Sequence, residues 1–435
     1  MHDNKQTKGG ASADRLQSLI NTALCCNIDI DEVLDNIEYM SNQKILQQHP
    51  YAITENKDGR FSSYLPDKTK PNNRRKVVKA TRELLEKEII KFYKEREKEQ
   101  SLANISLRKF YPEWLAYKAL HTTSSAYIKT IDELWKRFYV NDPIIDRPLV
   151  ELSEYCLDTW AHSMIRENNL TKKQYYNMAI IIRQSLDLAC KKGIVGSNSF
   201  NKFKVDYKLF RPVEKKADET QVFLIEEQPL IEQEAYRDFQ ESGKSACLAI
   251  PLAFQTGLRT SELVGLRWSD IDEEQEHCIH VQRMEIKEYK QLSDGTWGSP
   301  KRVIVNRTKS KQGNRNVYLT TTARKILEQI YFFNEEKGFS NDGYIFMNER
   351  GRVTAPALNK RIRRYCRKIN ISEKGMHKIR KTYISTLIDA EDININYIRE
   401  QVGHADERTT YGNYCFNRKS KDLTAQSMER ALAHG

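Results

Sequence analysis

The chain is 435 residues long, enough for about two to four domains with separate cores. With 39% hydrophobic and 30% charged residues it reads as a soluble, folded chain, which excludes a disordered polyelectrolyte, and its formal charge of +12 favours a polyanionic partner. No apolar run approaches the roughly 20 residues that cross a bilayer, and the start, Met1-His2-Asp3-Asn4-Lys5, lacks the apolar core of a secretion signal, so no membrane association is expected.

Residues 1–48 read as a helical N-terminal extension. Leu16, Leu19, Ile20, Ala23 and Leu24 share one helical face; Val33, Leu34, Ile37 and Met40 share another, opened by acidic Asp29, Asp31 and Glu32. The segment is not basic, which suits packing or partner binding better than DNA contact. Over residues 49–100 the period changes. Residues 51–54 and 61–65 look like short strands around an Asp58-Gly59 turn, and 74–79 reads as a third after Pro71-Asn72-Asn73. Thr81 is placed to cap a helix whose Leu85, Ile89, Phe92 and Tyr93 share a face. No acidic residue occurs from 68 to 82. The expectation is an α+β module, a three-stranded sheet plus helix, offering Arg60, Arg74, Arg75 and Lys76 to phosphates or a groove. A solvated basic hairpin is the other reading.

Residues 101–206 read as an all-α module. Phe110, Trp114 and Tyr117 define one apolar face, and Tyr127, Ile131, Leu134, Trp135 and Phe138 a second. Tyr175, Met178, Ile181, Ile182, Leu186 and Ala189 give a third, closed by Lys191-Lys192-Gly193. These aromatics read as core. Residues 207–220, with Phe210-Arg211-Pro212, read as a linker.

Residues 221–435 read as mixed and mainly helical with a small antiparallel sheet. A helix is expected over 244–255 with Gly257 near its end; Thr260 or Ser261 then caps a helix carrying Leu263, Val264 and Leu266. Strands are predicted at 278–281, 302–306 and 316–319, the last two as a hairpin whose turn holds Gly313-Asn314. Residues 287–301 read as a long polar insertion between the first two strands. The eight cysteines, scattered from Cys25 to Cys415, form no Cys-x-x-Cys pair, which fits reduced thiols rather than a zinc ribbon or redox motif.

Chemistry concentrates in four stretches: Thr256-Gly257-Leu258-Arg259-Thr260-Ser261-Glu262-Leu263, Thr308-Lys309-Ser310-Lys311, His377-Lys378-Ile379-Arg380, and Gly403-His404 with Tyr414 ten residues on. These residue types suit cleavage of a phosphodiester by a protein nucleophile. Arginine forks can hold two non-bridging oxygens, a tyrosine can form a covalent intermediate, lysine can protonate a leaving oxygen, and histidine can orient or deprotonate a phenol. Singly, each has a plain reading. Arg259 could pair with Glu262, a lysine in a turn is usually solvated, and His377 and Arg380 share a helical face by spacing alone. Only their combined order stands above coincidence.

That order resembles the catalytic signature of the tyrosine recombinase, or phage integrase, family, and best matches integrases of Gram-positive conjugative transposons. The resemblance covers residues from about 220 to 420 through Thr-Gly-Leu-Arg-x-Ser-Glu-Leu, His-x-x-Arg and Gly-His-x(4)-Thr-Thr-x(3)-Tyr. It implies that 221–435 is a catalytic domain with a C-terminal tail, 101–206 a core-type DNA-binding domain and 49–100 an arm-type one; residues 1–48 have no role to transfer. By position it makes Arg259 and Arg380 a phosphate clamp, Lys309 the general acid, His377 and His404 the residues that place protons and phosphate, and Tyr414 the nucleophile. Lys311 competes with Lys309, and Tyr411 falls too close to His404 for the nucleophile position.

The implied activity is site-specific recombination that integrates and excises a mobile element through a 3′-phosphotyrosine, with no ATP, metal or other cofactor. The implied partners are double-stranded DNA at element ends and target or attachment sites, a homotetramer with the tail from Phe416 exchanged between neighbours, and an excisionase or host DNA-bending protein. The implied location is the bacterial cytoplasm, on the nucleoid. Two other readings remain: DNA relaxation of the type IB topoisomerase kind, and a non-catalytic DNA-binding regulator on the same scaffold.

Overall fold

The computed structural model describes residues 30–272, 277–339, 343–390 and 392–433. The helix expected around residues 16–24 lies outside them. The chain divides into two compact units: Met1–Trp114, Phe138–Asn168 and Ala179–Asp206 form one, and Leu115–Arg137, Asn169–Met178 and Tyr207–Gly435 the other. Among the described residues no helix is long and apolar enough to cross a membrane.

In the first unit, helix α1 (Ile30–Gln47) precedes strands β1 (Thr54–Glu55), β2 (Phe61–Pro66) and β3 (Arg74–Lys79), an antiparallel sheet in that order. Helix α2 (Arg82–Ala103) backs it, with the Thr81 hydroxyl accepting from the Leu84 N–H as the cap. Leu65, Leu85 and Ile89 are fully buried between sheet and helix, and Phe92 and Tyr93 pack on them, as expected. The register sets Leu65 opposite Arg75 and Tyr64 opposite Lys76. Since cross-strand partners share a face, Arg75 lies on the helix side, while Arg74 and Lys76 lie with Tyr64 on the open face. The expected second N-terminal helix is present as α1, but its stripe of Val33, Leu34, Ile37 and Met40 is 41 to 71% exposed; Leu46, at its other end, packs on the sheet–helix core.

Helices α3 (Leu107–Leu120), α4 (Ser125–Phe138), α5 (Glu154–Glu167) and α6 (Lys172–Lys191) follow. Phe110, Trp114, Ile131, Trp135, Phe138 and the whole stripe from Tyr175 to Ala189 named above are buried. Tyr117, Tyr127 and Leu134 are only half-buried.

The second unit contains α7 (Glu227–Ser242), α8 (Ala249–Thr256), α9 (Thr260–Leu263), β4 (Ile271–Asp272), β5 (Cys278–Val281), β6 (Met284–Glu288), β7 (Lys301–Val305) and β8 (Arg315–Tyr318). It continues with α10 (Thr321–Glu336), β9 (Met347–Asn348), β10 (Gly351–Arg352), α11 (Ala355–Lys368), α12 (Met376–Asp389), α13 (Ile395–Val402), α14 (Glu407–Tyr414) and α15 (Lys421–Leu432). Leu252 and Phe254 of α8, Ile279 and Val317 of the sheet, Ile326 of α10 and Ile379 of α12 belong to one buried core.

Two expectations fail here. The strands predicted at 302–306 and 316–319 do not pair with each other: β8 pairs with β5, and β7 with β6. Strand β6 was hidden because its Glu285 reads as solvent-facing, yet it is 6% exposed and held by Arg302 at 3.0 Å and Arg352 at 2.9 Å. Residues 287–301 are therefore the outer half of a β6–β7 hairpin. It lies on α4, where the Tyr289 N–H donates to Ser125 Oγ at 2.9 Å and Trp297 Nε1 to Asp132 Oδ2 at 2.9 Å. The second failure is the α9 cap, which is neither Thr260 nor Ser261. Arg259 holds the cap position in extended conformation, and the Glu262 carboxylate accepts its N–H at 3.0 Å, closing the turn without a hydroxyl.

Candidate active site

Helix α8 stops at Gly257, which takes the left-handed φ of +59°. A Cβ there would lie 2.2 Å from the Tyr383 ring, so glycine is required for space as well as for conformation. The turn releases Arg259 in front of α9. Its Nη1 donates to Glu262 Oε1 at 2.7 Å and its Nη2 reaches the Gly403 carbonyl at 3.4 Å. The pairing with Glu262 foreseen as the plain reading is thus real, and it aims the guanidinium at the turn that carries His404. Burial pushes the Glu262 carboxyl up, but the Arg315 and Arg259 guanidiniums outweigh it and hold the group below its ordinary range.

Arg380, on α12, is 1% exposed. Its Nη1 donates to the Gly257 carbonyl at 2.8 Å; its Nη2 donates to the Val402 carbonyl and lies 3.2 Å from His404 Nε2. Its Nε–H finds no acceptor among the described residues. Burial, then Arg259 and Arg315, lower its pKa to about 9, so it stays charged at neutral pH. An unmatched donor on a buried cation, next to a second guanidinium, is a setting that an anion would complete.

His404 follows Gly403, which ends α13 at φ +63°. Arginine only donates, so His404 Nε2 must accept from Arg380; its proton then sits on Nδ1 and points at Thr410 Oγ1, 3.0 Å away and fully buried. Burial, then Arg380 and Arg259, depress His404 to about 3. His377, at the start of α12 with one edge exposed, is lowered to about 4 by the packing beneath it and by Arg380, Lys381 and Lys378. Both imidazoles are neutral at pH 7 and not fit to act as imidazolium acids; His404 has its two ring nitrogens engaged by Arg380 and Thr410, so His377 is the one left to accept a proton.

Tyr414 closes the arrangement at the end of α14. Its ring centroid lies 4.7 Å from that of His404 and 6.0 Å from that of His377. Its carbonyl accepts from Ser385 Oγ at 2.6 Å, and its half-buried ring packs on Ile384, Ile398 and Val402. Tyr411, on the same helix, is 52% exposed. The structure therefore gathers Arg259, His377, Arg380, His404 and Tyr414. Lys309 is not drawn in: it and Lys311 both lie exposed in the turn before β8. Arg315 was missed from sequence and carries no local signal; Thr410 stood inside the Gly-His-x(4)-Thr-Thr-x(3)-Tyr motif but was given no role there.

The four basic positions of the first unit are exposed. Arg60 pairs with Asp58 at 3.1 Å, Arg74 lies 4.4 Å over the Tyr64 ring, and Arg75 lies 5.9 Å over Phe92.

A mainly helical unit with an Arg, Arg, His, His, Tyr cluster defines a class, and the comparisons agree on it. Residues 226–421 match the phage integrase family, so this part of the chain is a domain of that family. It is similar to the XerC-like tyrosine recombinase of Caldanaerobacter subterraneus subsp. tengcongensis, 29% identical over 38% of this chain and 43% of that protein. It is also similar to the ICEBs1 integrase of Bacillus subtilis, 28% identical over 40% of this chain and 45% of that one. The chain thus spans less than half the length of these curated relatives. The fold is shared with the Tn1549 transposon integrase in complex with a circular intermediate DNA, at a TM-score of 0.55 and 19% identity, over 75% of this chain and 99% of that one.

Proposed function

We propose that this chain is a site-specific DNA recombinase that integrates and excises a mobile element through a 3′-phosphotyrosine. The observation that carries the reading is the seating of Tyr414 against His404, itself bonded to Arg380, within a single chain. In the proposed reaction the scissile phosphate lies between Arg259 and Arg380 and takes up the unmatched Arg380 Nε–H. Tyr414 Oη forms a bond to phosphorus as the bond to the 5′ oxygen breaks. A neutral histidine accepts the phenolic proton, and a lysine of the turn, Lys309 or Lys311, gives a proton to the 5′ oxygen. A 5′ hydroxyl from a partner duplex then reverses the step, so bond energy is conserved.

Two exchanges on each of two duplexes call for four such sites, hence a homotetramer on DNA. Residues 101–206 serve as the core-type domain and 49–100 as the arm-type domain, whose open face offers Arg74 and Lys76. The setting is the bacterial cytoplasm, with an excisionase or DNA-bending protein setting direction. The reading is supported by the family match and by the DNA named with the Tn1549 integrase structure. The test is incubation with two duplexes bearing the element's ends. Recombinant joints are expected; plasmid relaxation without joints, or binding without cleavage, would overturn the reading.

A further inference from the structure

Neither lysine of the 308–311 turn touches the rest of the cluster by its side chain in a fixed way; both are exposed on long flexible stems. Where the amine can act is set by the backbone of the turn, and one buried side chain holds that backbone. Arg315, the first residue of β8, has a side chain only 5% exposed. Each nitrogen of its fork serves a different segment. Nη2 donates to Glu262 Oε2 at 3.0 Å, the carboxylate that also holds Arg259. Nη1 donates to the Gly313 carbonyl at 2.9 Å, at the end of the lysine turn. Nε donates to the Gln401 carbonyl at 2.7 Å, three residues before His404.

Two neighbouring contacts fix the same junction. Gln401 Oε1 accepts the Tyr318 N–H at 2.9 Å along β8. At Gly403 a Cβ would lie 2.6 Å from the Gln312 carbonyl and 3.1 Å from Arg315 Cδ, so the lysine turn and the histidine turn meet backbone to backbone.

We propose that Arg315 is a positioning residue that sets the lysine turn against the phosphate site and so places the leaving-group proton donor. The inference rests on the recombinase reading. A planar fork with fixed donor directions can bracket three acceptors; a lysine, a point charge on a flexible stem, keeps the charge beside Glu262 but not the bracket.

The test is cleavage by the full chain of two nicked duplexes, one with the ordinary 5′ oxygen and one with sulfur at that bridging position. A thiol, with a pKa near 8.5, departs as thiolate and needs no proton from the enzyme. Arg315→Lys is expected to cut the oxygen substrate about 10²-fold more slowly than wild type, the scale of a lost general acid, and to cut the sulfur substrate at close to the wild-type rate. Rates on both substrates come from one preparation, so their ratio is independent of the folded fraction. Lys309→Ala and Lys311→Ala show what loss of the donor itself looks like. Equal slowing of Arg315→Lys on both substrates, or no slowing on either, would overturn the proposal. If wild type forms no covalent adduct with either duplex, the recombinase reading fails and takes this one with it.

Discussion

Replacing Glu262 by glutamine removes one negative charge from among three guanidiniums with almost no change of shape. The carboxylate is fully buried, Arg315 is 5% exposed and Arg259 22% exposed, so water cannot take over its work. Removing one partner of a buried pair costs about 3 to 5 kcal/mol, because the other charge is left uncompensated. For a unit of this size that corresponds to a melting temperature lower by about 6 to 20 °C. The sign with pH follows from the lowered pKa of Glu262. Its stabilisation is complete above the ordinary value of 4.5 and is lost as pH falls from there through the depressed folded value, so the gap between wild type and Glu262→Gln should begin to narrow once the pH drops below 4.5. Thermal melting of both proteins, followed by circular dichroism at pH 7 and near pH 3.5, measures it. A variant that melts within about 2 °C of wild type at pH 7, or a gap of equal size at both pH values, would refute the reasoning about this buried charge.

Thr410→Val leaves the His404 Nδ1–H without its acceptor, and cleavage should fall about 10- to 100-fold with unchanged DNA binding, the equivalent of 1 to 3 kcal/mol; cleavage and gel-shift assays check it. Gly403→Ala places a Cβ 2.6 Å from a backbone carbonyl at positive φ, so it should lower both melting temperature and cleavage rate, and unchanged values of both would contradict that packing. The pH profile of single-turnover cleavage at limiting DNA should show its histidine limb near pH 4, not near 6.5, since His377 and His404 are held to about 4 and about 3 in the free protein. Arg74→Ala with Lys76→Ala should lower the salt slope of binding to a distal DNA site by about 2 while core-site cleavage persists. Arg75→Ala, on the helix side of the sheet, should have the smaller effect.

The parts legible in the sequence are those whose cause is local. Thr81 caps α2, the Pro71-Asn72-Asn73 turn leads into β3, and Gly257 stands where α8 ends and the backbone turns left-handed. Arg259, His377, Arg380, His404 and Tyr414 were legible by order, and the fold brings together five residues spread over 259–414. What stayed hidden depends on distant partners. Strand β6 looked polar because the arginines that neutralise Glu285 lie at 302 and 352. Arg315 looked like a hairpin residue because its acceptors include a carbonyl 86 residues away. The choice between Lys309 and Lys311 stays open for a physical reason: both are exposed, so neither is singled out by packing.

The most direct measurement is covalent trapping by Tyr414. Wild type, Tyr414→Phe and Tyr411→Phe are each incubated with a nicked duplex carrying an element end, and SDS-resistant adducts are mapped by mass spectrometry. Wild type and Tyr411→Phe should give an adduct on Tyr414, and Tyr414→Phe should bind the duplex without one. An adduct on Tyr411, or one formed by Tyr414→Phe, would contradict the assignment of the nucleophile.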